Sequence, residues 1–123
     1  MNEKPPHDIY ERTKAFALRV IKLFSALPKT TEARVIGKQV LRSATSVGAH
    51  LREGRRSRSN AELISKIGGA LQELDETGYW LELLGESGIV KSEMLEPLLA
   101  EAGELTAILV TSVKNVKAKR KPK

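Results

Sequence analysis

Apolar residues recur every three or four positions along almost the whole chain, the period of an amphipathic helix. Ile9, Thr13, Phe16, Val20, Leu23 and Leu27 share one face. They predict a helix over 8–27, with Asp8 as N-cap, Glu11 three residues on, and Pro28 as the stop. Ile36, Val40, Ala44, Val47 and Leu51 predict a second helix over 31–53, with Gly54 as a left-handed C′ residue. Ser59 and Glu62 have capping-box spacing, each side chain satisfying the other's backbone N–H, and open a third helix over 59–87. Its apolar positions are Ile64, Ile67, Leu71, Leu74, Gly78 and Leu81, and Gly85 or Gly88 ends it. A fourth runs over 92–118 through Leu95, Leu98 or Leu99, Ala102, Leu105, Leu109, Val113 and Val116. Pro97 lies inside it and predicts a bend or a detached first turn.

Four long helices joined by short turns make antiparallel neighbours. The expected fold is all-α, an up-down-up-down antiparallel four-helix bundle in one domain over 1–118, followed by a basic tail at 119–123. Two segments carry more apolar residues than one core stripe needs. In residues 16–24 only Arg19 and Lys22 are polar, and in 79–85 only Glu82 is charged. A second buried face, and hence self-association, is the expectation. Gly37, Gly48, Gly68, Gly69 and Gly78 fall inside helices, where close helix approach would offset their poor helix propensity.

Charge sharpens this picture. The 123 residues carry a net charge of +6. Residues 114–123 hold six basic groups and no acid, and the other 113 residues are balanced at 15 of each sign. Within that balanced body, Arg52, Arg55, Arg56 and Arg58 crowd into seven positions. Two basic clusters on a neutral body point to a polyanion partner, nucleic acid first. The alternative is a solvated corner and a solvated tail. Arg55, Arg56 and Arg58 precede the start of the third helix, where open N–H groups and the dipole favour phosphate. Lys114, Lys117, Lys119, Arg120 and Lys121 supply the second cluster. No aromatic residue is near the turn in sequence, so contact with backbone phosphates rather than base stacking is expected. A ring of subunits would repeat the cluster and strengthen binding.

Other chemistry finds little support. The absence of Cys excludes disulfides and thiolate chemistry and suits a reducing, cytoplasmic compartment. The N-terminus has no signal-peptide pattern, and no apolar run is long enough to span a membrane. His7 and His50 are the only histidines, and neither forms Glu-x-x-His or His-Glu-x-x-His. No metal or cofactor is expected, and no enzyme. His50 reads as structural or phosphate-facing. Glu73 with Glu76, and Glu101 with Glu104, read as solvated surface. Glu53 is expected to pair with Arg52, Arg55, Arg56 or Arg42 and pin the turn. Glu53, Gly54, Ser59 and Glu62 would then shape the turn, leaving the arginines to meet phosphate.

Residues 40–74 carry a further pattern: Arg42-Ser43-Ala44, Ser46-Val47, Glu53-Gly54, Arg56, Ser59, Glu62-Leu63 and Glu73-Leu74. It resembles the four-helix-bundle family of 23S rRNA intervening-sequence proteins. His50 and Arg52 replace that family's usual Asn and Ala, and Gly68-Gly69-Ala70 departs from its usual pattern. The resemblance implies a small bundle assembling as a homopentamer. It also implies kinship with the accessory variability protein of diversity-generating retroelements, a basic ring that binds a reverse transcriptase and nucleic acid. Two functions stay open: a nucleic-acid-binding oligomeric scaffold, or a bundle used only for protein interaction. In the second, Arg42, Arg55 and Arg56 would pair internally with Glu53 and Glu62.

Overall fold

The computed structural model describes residues 5, 6 and 8–120, with Arg120 described in its backbone only. Within them the chain is α1 (Asp8–Ala26), α2 (Thr31–Gly54), α3 (Asn60–Glu86) and α4 (Ser92–Arg120), with no strand. Each helix packs against its chain neighbour, and α1 also meets α4, closing the four-helix layer. The contacts are antiparallel. Gly37 faces Phe24 and Leu27, Gly48 faces Thr13, Gly54 faces Leu63 and Lys66, and Gly85 faces Ser92 and Leu95.

The core is aliphatic around one aromatic ring, Phe16. With it are buried Ile9 and Val20 of α1, Val40, Val47 and Leu51 of α2, Leu63, Ile67, Leu74, Leu81 and Leu84 of α3, and Leu95, Leu105, Leu109 and Val116 of α4. Leu98 rather than Leu99 takes the core position in α4. The buried hydroxyls between the helices have partners. The Ser43 and Thr77 hydroxyls meet across the α2–α3 seam at 2.8 Å, and Thr13 donates to the Ile9 carbonyl at 2.9 Å.

Several local expectations are corrected. Gly54 is not left-handed, since Gly88 (φ 80°) is the only described glycine with positive φ. Gly54 stays helical and buried, and a Cβ there would lie 3.3 Å from Lys66 Cβ. Small size, rather than backbone freedom, is what the position uses. The helix closes by tightening: Arg56 N–H donates to Glu53 O and Ser57 N–H to Gly54 O, both at 3.1 Å. α4 is one continuous helix through Pro97, so its first turn is not detached. It continues to Arg120, two residues past the expected end, and takes in the basic residues from Lys114 to Arg120. Among the interior glycines, Gly37 and Gly69 sit against Leu27 and His50, whereas nothing approaches Gly68 or Gly78.

A candidate nucleic-acid interface at one end of the bundle

An up-down bundle places the start of α1, the end of α2, the start of α3 and the end of α4 at the same end. The two basic clusters, far apart in sequence, therefore meet there. Arg52 is exposed in the last turn of α2, Arg55 occupies its C-cap position, and Arg56 and Arg58 are exposed in the turn. Lys114, Lys117 and Lys119 are exposed in the last turns of α4. Arg120 ends that helix, while Lys121 and His7 lie outside the described residues. Arg12, Lys14 and Lys66 add to this half of the molecule, against Asp8, Glu11, Glu53 and Glu62. The opposite half, with Glu73, Glu101 and Glu104 at its boundary, holds Glu32, Asp75, Glu76, Glu82, Glu86, Glu93 and Glu96, but also Arg19, Lys22, Lys29, Arg34, Lys38, Arg42 and Lys91. The positive excess of the described residues is thus concentrated at this basic end.

The turn is shaped by the expected residues with different partners. Ser59 is extended (φ −154°, ψ 161°) and its hydroxyl accepts from Glu62 N–H at 3.1 Å. The Glu62 carboxylate accepts from Arg58 N–H at 2.7 Å, one residue before the position that the reciprocal box predicts. Glu53 pairs with none of the neighbouring arginines or with Arg42. Its partner is Lys66 of α3, at 2.8 Å. The Lys66 ammonium holds the Glu53 carboxyl below the usual carboxylate range, and Glu53 in turn raises Lys66. An internal network of Arg42, Arg55 and Arg56 with Glu53 and Glu62 is not what forms, because Lys66 and the Arg58 backbone have taken both acids. The Ser57 hydroxyl, between Arg56 and Arg58, is buried without a hydrogen-bond partner.

Tyr10 is the residue that sequence distance concealed. The Arg55 guanidinium lies 4.3 Å from the centre of its ring, a cation–π contact between α1 and the turn. Burial raises the Tyr10 hydroxyl above its ordinary range, and the Arg55 charge offsets part of that. An aromatic ring therefore does stand beside the turn. A groove of about 280 Å³ between α1 and α2 is walled by Tyr10, Lys14 and Arg52 and floored by Thr13, Ala17 and Gly48. The signal that could have found it is topological: the first turn of α1 must share an end with the α2–α3 turn.

The acid pairs are not plain solvated surface. Arg42 of α2 reaches both Glu73, at 3.4 Å, and Glu76 of α3. Arg12 of α1 forks onto Glu101, at 2.7 and 3.1 Å, and reaches Glu104 of α4 at 2.8 Å. The two carboxylates hold the Arg12 guanidinium above its ordinary range. His50 lies with Nε2 3.8 Å from Glu73 and its ring packed against Gly69, a structural place. By contrast, Arg52, Arg56 and Arg58 make no ion pair with any described residue. No metal-binding cluster occurs among the described residues, and none of the described helices is long and apolar enough to cross a membrane.

Fold and surface together define a class: a small all-helical bundle with one basic end. The chain matches the family model of the 23S rRNA-intervening sequence protein over residues 6–111, and it belongs to that family. It is also similar to a crystal structure from Bacteroides thetaiotaomicron, a protein of unknown function from the S23 ribosomal protein family. The two share 35% identity with a TM-score of 0.82, covering 86% of this chain and 98% of that one. No curated protein matches the chain.

Proposed function

We propose that the protein is a non-enzymatic, self-associating scaffold that binds RNA or DNA through backbone phosphates at its basic end. One observation carries this reading: the turn arginines and the α4 lysines share one end, while most acids stand in the opposite half. Arginine forks, and the N–H groups that the Ser59 cap leaves open at the head of α3, are suitable donors for phosphate oxygens. Exposed Leu18, Ile21 and Tyr79 support self-association, with a homopentameric ring as the assembly implied by the resemblance. A ring would present several basic ends together and bind by avidity. The resemblance to the retroelement accessory protein makes a reverse transcriptase with its RNA or cDNA the candidate partner. No membrane partner or cofactor enters this reading.

The test is the variant Arg52→Ala/Arg56→Ala/Arg58→Ala, titrated into fluorescently labelled RNA and DNA over a series of salt concentrations. With three phosphate contacts removed, the log–log salt slope for duplex becomes shallower by about 3, and affinity near 0.1 M salt falls at least about tenfold. Wild-type protein that binds neither nucleic acid at low salt overturns the reading. It would leave the second reading, a bundle that serves protein interaction alone, which the same exposed apolar residues favour.

A further inference from the structure

The outer face of α1 is apolar where solvent would favour polar residues. Leu18 and Ile21 are 56% and 42% exposed, between Lys14 and Lys22. Neither lysine has an ion-pair partner among the described residues. On the far side of the bundle, α3 and α4 leave a groove of about 410 Å³. Its depth comes from Gly78 and Gly103, where a Cβ would meet nothing within 4 Å. Tyr79 stands 54% exposed on its rim, between Asp75 and Glu82, neither of which is ion-paired with a described residue.

We infer that copies of this chain assemble through a heterologous contact, in which the Leu18–Ile21 face of one copy seats in the α3–α4 groove of the next. This rests on the self-association reading above and specifies its surfaces. Charge selects the occupant. A contact between two α1 faces would oppose lysines, and one between two grooves would oppose carboxylates. The crossed pairing alone joins opposite signs.

The register agrees. α1 and α3 run in the same direction, and both are antiparallel to α2. Thr13 faces Gly48, and Ser43 meets Thr77, so Thr13 stands level with about residue 72. Lys14 and Lys22, about 12 Å apart along α1, are then within about two residues of the levels of Asp75 and Glu82, about 10.5 Å apart along α3. A rotation about an axis parallel to the bundle, with almost no translation, brings each lysine to a carboxylate and Leu18 to the gap at Gly78. Two different patches joined by a rotation without translation close into a ring when that rotation divides a full turn, and the absence of translation disfavours an open filament.

Two blocked variants test this by mixing. Leu18→Glu/Ile21→Glu disables the ridge, and Gly78→Leu/Gly103→Leu fills the groove. All four positions lie on the surface, and circular dichroism checks that each variant is folded. By light scattering, each variant alone is monomeric at a concentration where the wild type is assembled. The equimolar mixture forms a one-to-one dimer and nothing larger, because only one intact ridge and one intact groove remain. A blocked variant that keeps the wild-type mass, or a mixture that stays monomeric, overturns the contact while self-association stands. A monomeric wild type overturns both. Should either blocked variant misfold, the charge swap replaces it. Lys14→Glu/Lys22→Glu and Asp75→Lys/Glu82→Lys each weaken assembly at least about tenfold, and the variant carrying all four changes recovers it. Absence of recovery overturns the proposal.

Discussion

Arg12 and Arg42 in the middle of the bundle, and Arg52, Arg56 and Arg58 at its basic end, carry the same group in opposite surroundings. Each middle arginine sits between two carboxylates one helical turn apart on a neighbouring helix. The three at the end have no such partner among the described residues, although Glu53 and Glu62 are close in sequence. Those acids are drawn into shaping the turn, one by Lys66 and one by a backbone N–H. What separates the two groups is the register of the facing helix rather than local composition. In the middle, charge locks helix to helix. At the end, the same charge stays available to a ligand.

Deep truncation in the middle gives the largest effect. Phe16→Ala leaves a cavity in the buried core and costs about 3–5 kcal/mol by urea denaturation, whereas Arg56→Ala changes stability by less than about 0.5 kcal/mol. Similar losses from both would erase the division. Ser59→Ala comes next, at about 1 kcal/mol, because the Glu62 N–H loses its acceptor. A neutral result would mean that the turn holds its shape through packing alone. Arg12→Ala follows, at or below about 1 kcal/mol, since the pair is only partly shielded from solvent. Arg12→Lys keeps the charge but loses the fork, and a stability equal to that of Arg12→Ala would show that geometry rather than charge carries the clamp.

The smallest effect is a pH dependence at the basic end. The Glu53 carboxyl is held below its ordinary value of 4.5. Its pair with Lys66 therefore stabilises the fold above that value, and the contribution disappears as pH falls through the folded-state pKa. Lys66, raised above 10.5, behaves in the opposite sense: its contribution is present below that value and is lost as pH rises through the folded-state pKa. Glu53→Gln flattens both limbs of a plot of denaturation midpoint against pH. An unchanged plot would show that the pair contributes nothing to folding.

Much of the fold is legible along the chain because helix periodicity is local. Phe16, Val20, Val40, Val47, Leu74, Leu105 and Val116 are recognisable as core from their spacing, and Thr31, Ser59 and Ser92 mark helix starts within a residue. The site is less legible. Tyr10 is forty-five residues from Arg55, and only the closing of the bundle sets one over the other. Glu73, Glu76, Glu101 and Glu104 look solvated until Arg42 and Arg12 arrive from neighbouring helices. The Glu62 bond goes to the Arg58 N–H rather than to that of Ser59, a difference of one residue that the capping-box spacing does not reveal.

The chain by itself determines four helices, the stops between them, an aliphatic core and two basic clusters, because each depends on contacts within three or four residues or on composition. Tertiary structure decides which acids neutralise which arginines, since that depends on where antiparallel helices stand relative to one another. It also decides that the two basic clusters become one surface, because an even number of helix reversals returns the end of α4 to the turn between α2 and α3.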